Sequence, residues 1–192
     1  MKIVIFILLI SFTLTAQQKS HVCAGGIYPT LDVTCDEGIP PYTVEWTSPS
    51  GVVSTGLSKQ LNQAGIWTFK CMDSGTTTCP SSGGTHTVIL EEEPIVTINA
   101  VNACAGTPQS ISASGVTAGY TYSWNFGSGS VPSTSSTAFT NVLWNTTGTK
   151  TITLTITKTF GLDVICSDPC VYEFTEEITV NGEITGTISC TP

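Results

Sequence analysis

The stretch Tyr120-Thr121-Tyr122-Ser123-Trp124-Asn125-Phe126-Gly127-Ser128-Gly129 decides the fold. Its aromatic residues stand at every second position with Thr, Ser and Asn between them, the period of a strand with one buried face. Gly127 and Gly129 then supply a turn that residues bearing a Cβ resist. The same period recurs at Tyr42, Val44 and Trp46 and at Ile152, Leu154 and Ile156. Gly, Pro, Ser and Asn punctuate the runs, and no stretch keeps a helical period over three turns. Half-buried antiparallel strands at this spacing specify an all-β chain of sandwiches.

The 192 residues suit two small domains. A seam is visible at Glu91-Glu92-Glu93-Pro94, where charge and proline separate the strand-like Thr87-Val88-Ile89-Leu90 from Ile95-Val96-Thr97-Ile98. Domains are therefore expected at 17–93 and 94–181, followed by a strand-like tail, 182–192, able to cover a sheet edge or contact a partner.

Residues 1–16 read as a secretory signal peptide, with Lys2, an apolar run from Ile3 to Ile10 and the small Ala16 before Gln17 and Gln18. The run is too short to cross a bilayer, which takes about 20 residues, and no later run reaches that length, so membrane insertion is not expected. The net charge is −8 and becomes −9 when Lys2 leaves with the leader; the chain has no arginine. Such a surface repels phosphate backbones and anionic lipids, which excludes nucleic acid as a partner.

Eight cysteines in an exported chain point to disulfides. In the first half the order Cys35, Trp46, Cys71 is that of an immunoglobulin domain, where the bridge links two sheets and the indole packs on it. That likeness implies a Cys35–Cys71 bridge. Leu31, Val33 and Cys35, then Tyr42, Val44 and Trp46, then Trp67, Phe69 and Cys71 each share one strand face. The pairing of Cys23 and Cys79 stays open. In the second half Cys166 and Cys170 can clip a hairpin and leave Cys104 to Cys190, or Cys104 can take one of the hairpin pair.

Two family resemblances follow from these residues. Cys23-Ala24-Gly25-Gly26, Pro40-Pro41-Tyr42 and Leu57…Ala64-Gly65-Ile66-Trp67-Thr68-Phe69 resemble repeats of long surface adhesins of Bacteroidota, from which the insertion Ser74–Gly84 departs. Tyr120–Gly129, with Phe139–Trp144 and the strand Lys150–Thr157 after Gly148, resembles a PKD domain, an immunoglobulin-like module with a Trp-Asp-Phe-Gly-Asp-Gly turn. Asn125 and Ser128 replace that turn's aspartates, so no calcium site is expected there. Trp46, Trp124 and Phe126 are the expected core anchors. The resemblance implies an extracellular spacer or contact module.

Chemistry is thinly represented. His21 and His86 are read as lone residues near the mature N-terminus and in a Gly-rich loop, without an orienting acid. The pairs Asp36-Glu37 and Glu176-Glu177 point to opposite strand faces, and no nucleophile elbow, phosphate loop or zincin motif is present. No catalytic residue, cofactor or metal site is expected, and Cys166-Ser167-Asp168-Pro169-Cys170 lacks the second pair a zinc site needs. Glu91, Glu92 and Glu93 have two readings, a solvated hinge or an interdomain calcium clamp. Asn145-Thr146-Thr147 fits a glycosylation sequon and is read as a turn. The expected function is a non-catalytic, secreted or cell-surface adhesion or assembly module binding a protein. The alternatives are a carbohydrate-binding module, with Tyr28, Trp67 and Trp144 as candidate exposed aromatics although both tryptophans also suit the core, or a subunit polymerising by strand exchange.

Overall fold

A computed structural model of the protein describes residues 18–35, 38–75, 83–161 and 169–182. All regular elements among the described residues are strands. These residues divide into two compact units, 18–21, 27–89 and 161 in the first and 22–26, 90–160 and 169–182 in the second. The division falls after Ile89, two residues ahead of the acidic seam. Residues 22–26 group with the second unit rather than the first, because Cys23 in that segment is bonded to Cys170.

The first unit is built from β1 (Gln18–Cys23) as far as His21, β2 (Thr30–Asp32), β3 (Thr43–Thr47), β4 (Val53–Thr55), β5 (Ser58–Gln60), β6 (Gly65–Met72) and β7 (Gly83–Glu91) as far as Ile89. One sheet runs β1-β7-β6-β3-β4, and β2 pairs with β5 in a second. Alternation along β3 and β6 buries Val44, Trp46, Trp67 and Cys71, while Leu31, Cys35 and Leu61 are buried from the β2–β5 side. The register sets Trp46 opposite Phe69 and Val44 opposite Cys71. The Trp46 and Phe69 rings lie 5.3 Å apart, within the range of favourable aromatic pairs.

The second unit contains β8 (Thr97–Asn99), β9 (Ala103–Cys104), β10 (Gln109–Ser114), β11 (Tyr120–Asn125), β12 (Ser130–Val131), β13 (Thr134–Ser135), β14 (Phe139–Trp144), β15 (Gly148–Lys158) and β16 (Cys170–Asn181). Its sheets run β12-β14-β10-β8 and β13-β11-β15-β16-β9. The long β15–β16 pairing extends from Gly148 opposite Val180 to Lys158 opposite Cys170. Between the sheets lies one core of Ile98, Ile111, Trp124, Phe126, Val142, Trp144, Ile152, Leu154, Ile156, Ile178 and Val180.

All four tryptophans are buried. Each indole N–H donates to a backbone carbonyl: Trp46 to Gly56, Trp67 to Gln63, Trp124 to Thr137 and Trp144 to Phe126. A buried donor without an acceptor costs about 1–3 kcal/mol, so these bonds let large rings fill the cores without that cost. The turn after β11 takes φ +74° at Gly127 and +75° at Gly129. A Cβ at Gly129 would sit 2.3 Å from Thr146 Oγ1. Asn125 Oδ1 accepts from the Gly127 N–H at 3.0 Å, so a neutral amide here makes a bond that closes the turn.

Candidate functional site

The cysteines come first because they fix what can move. Cys35 is bonded to Cys71 and Cys23 to Cys170. The second bond removes the Cys166–Cys170 clip and a Cys104–Cys170 pairing, since the Cys170 sulfur is bonded to Cys23. The hairpin clip Cys166–Cys170 is thus corrected, and the physical reason is that Cys170 opens β16 on its buried face. Cys104 is exposed and has no disulfide partner among the described residues. Cys79, Cys166 and Cys190 lie outside the described residues, as do Asp36, Glu37 and the tail beyond Gly182.

The aromatic candidates for sugar stacking are resolved by burial. Trp67 and Trp144 lie in the cores and Tyr28 is half-buried, so neither tryptophan is available to a ligand. Trp46, Trp124 and Phe126 are buried.

Neither histidine lies in a loop. His21 is on β1 and His86 on β7. The run Gly83-Gly84-Thr85-His86 reads as a loop because of its glycines, but they serve a close approach: a Cβ at Gly84 would lie 2.8 Å from Phe69 Cζ. His86 is fully buried. Its Nε2 lies 2.8 Å from Ser20 Oγ, and its Nδ1 has no hydrogen-bond partner among the described residues. Burial holds its pKa below the ordinary 6.5, and an imidazolium would need a second acceptor at Nδ1.

At the acidic seam one carboxylate is already paired with a cation. Glu91 is the last residue of β7, and its Oε2 accepts from Lys158 Nζ. Lys158 Nζ also lies 5.8 Å from the ring centroids of Tyr120 and Phe160. A calcium ion would therefore have to displace an ammonium from Glu91 while Glu92 and Glu93 stand exposed. Among the described residues no three His, Cys, Asp or Glu side chains converge as metal ligands. In the same cluster Tyr120 has its pKa raised, first by burial and then by Tyr172. Glu176 and Glu177 fall opposite Ile152 and Thr151 on β16, without a catalytic neighbour in register.

Exposed features remain, and one was invisible in the sequence. β4 ends its sheet and is hydrogen-bonded to β3 alone among the described strands. Three aliphatic side chains stand on it and beside it: Val52 at 64%, Val53 at 56% and Leu57 at 52% exposure. The hairpin is fixed from inside, as Ser48 N and Val52 O pair, Val52 N donates to Ser48 Oγ, and Gly56 N donates to Val44 O. The local signal was an apolar pair directly after the Pro49-Ser50-Gly51 turn, where alternation alone does not say that the strand is an edge.

No helix among the described residues is long and apolar enough to cross a membrane. No protein-family model matches the chain, and no curated protein does. Solved structures do. The three N-terminal domains of the Highly Immunogenic Outer Capsid protein of bacteriophage RB49 match at 16% identity and TM-score 0.36, over 80% of this chain and 58% of that one. Immunoglobulin domains 1–5 of Sidekick-1 match at 14% and 0.44, over 88% and 38%. The fibronectin(III)-like modules of Clostridium thermocellum CbhA match at 14% and 0.37, over 94% and 98%. The chain spans less than two thirds of the first two.

Proposed function

We propose that the protein is a non-catalytic, secreted or cell-surface adhesion or assembly module that binds a protein partner. In this reading residues 1–16 export it, 17–93 form an immunoglobulin-like module and 94–181 a PKD-like one. The observation that carries the reading is the β4 edge with exposed Val52, Val53 and Leu57. An edge strand offers unpaired N–H and C=O groups to an incoming strand, and branched apolar side chains beside them add area that favours association. The two disulfides suit an oxidising compartment, and the buried histidine offers no surface at which a substrate could meet it.

The test places a photo-reactive phenylalanine at position 53 and, as control, at position 149, an exposed residue on the polar face of β15. With native surface material present, position 53 should yield one cross-linked protein and position 149 none. Val53→Asp should abolish capture without unfolding the first unit. A cross-link to a second copy of the chain would move the reading to self-assembly. Equal capture from both positions would overturn the edge as the contact.

A further inference from the structure

Unlike the edge, the outer face of the β12-β14-β10-β8 sheet is mostly hydroxyl and amide, with a few apolar side chains and no charge. On β14, Val142 and Trp144 are buried, so Phe139, Asn141 and Leu143 point outward. Ile111 and Ile98 are buried on β10 and β8, which turns Ser110, Ser112, Ser114, Thr97 and Asn99 to the same outer side. The register sets Phe139 opposite Ser112 and Ser112 opposite Asn99. One row thus presents a ring, a hydroxyl and an amide over roughly 10 Å, two strand spacings. The next row holds Asn141 opposite Ser110, and Leu143 beyond it faces Val131.

Phe139 is 56% exposed. A single exposed apolar residue is ordinary, but this one is braced from the core. Thr137 Oγ1 donates to Phe139 O at 2.6 Å, Thr137 O accepts from the buried Trp124 indole, and Ala113 N donates to Ala138 O. Asn99 Nδ2 donates to Ser114 Oγ at 3.3 Å and to Ser112 Oγ at 3.4 Å, which ties the amide into the row of hydroxyls. None of these outward side chains is ionised, in a chain with fourteen carboxylates. The outward side of β16, in the other sheet, carries Glu173 and Glu177.

We infer that this face, centred on Phe139, is a docking surface for a neutral saccharide, a second site independent of the β4 edge. The C–H face of a sugar ring stacks on an aromatic ring, and its hydroxyls exchange hydrogen bonds with amides and hydroxyls placed a few ångströms away. An anionic polymer would call for Lys or Arg, and the face has neither. A protein partner would seek several clustered aromatic or Arg anchors, and there is one ring.

Affinity electrophoresis of the oxidised mature chain through gels holding laminarin, galactomannan or polygalacturonate tests this. At least one neutral polymer should retard the protein and polygalacturonate should not. Phe139→Ala should weaken that retardation at least tenfold, Phe139→Trp should preserve it, and Asn99→Ala should weaken it severalfold. No retardation by either neutral polymer, retardation by polygalacturonate alone, or an unchanged Phe139→Ala variant would each overturn the inference. Val53→Asp should leave polysaccharide retardation intact, and Phe139→Ala should leave the position-53 cross-link intact, so the two readings fail separately.

Discussion

Replacing Cys35 and Cys71 together by alanine should cost the first unit about 4 kcal/mol. The bridge spans 36 residues, and loop-closure entropy for a span of that size gives about that figure at 25 °C. Both residues lie in the core, so truncating them also leaves voids whose lining loses its contacts. Small domains are stable by only about 5–15 kcal/mol, which brings this unit close to its limit while Val44, Trp46, Leu61 and Trp67 still bury their side chains. Hydrogen exchange across a urea titration reads the loss by location. Peptides covering β3 and β6 should lose protection at lower denaturant, and peptides covering β11 and β15 should keep theirs. A loss below about 1 kcal/mol would refute the entropic reasoning, and an equal loss in both sets would refute its assignment to one unit.

Acid should weaken the first unit through His86. Its folded pKa is lowered from 6.5 by burial, so its contribution is complete above 6.5 and shrinks as pH falls from there towards the folded value, where the unfolded state binds the extra proton. Urea midpoints between pH 7.5 and 5 should therefore fall more steeply for the native chain than for His86→Gln; identical slopes would remove His86 from the account. Gly84→Ala drives a methyl to 2.8 Å from Phe69 Cζ, against a ring already packed at a tilt on the buried Trp46, and should cost about 1–3 kcal/mol. Phe69→Leu in the same chain should recover part of that loss, and additive effects would show that the ring is not the obstacle.

The buried half of the molecule was legible because alternation marks inside from outside directly. Trp46 and Trp124 stand in runs of period two, and a strand whose inward positions are aromatic has one way to face a core. The Gly127–Gly129 turn was equally plain, since its backbone needs residues without a Cβ. His86 was misread because Gly83 and Gly84 carry two meanings: glycine marks a loop when chain freedom is wanted and a strand when a ring approaches the backbone. Only the pairing of β6 with β7, which brings Phe69 opposite Gly84, decides between them. The Cys23–Cys170 bond was hidden for a related reason, its partners being 147 residues apart with no local pattern to join them.

What alternation does not rank is the outside. Val53, Ile66 and Phe139 all stand exposed on strands, and nothing local distinguishes them. Their difference arises from neighbours that sequence places far away. Val53 stands on an edge because β3 spends its other side on β6, whereas Ile66 sits on an interior strand opposite Thr87. Phe139 has an amide two strands away because Ser112 and Asn99, 27 and 40 residues earlier, fall into its row. A core position is specified by its own strand's period, but a surface site is specified by register across several strands. Function on an all-β scaffold of this kind is therefore carried by the least local information in the chain, and substitutions that preserve the pattern while changing one register partner, such as Asn99→Ala, are the ones that separate fold from recognition.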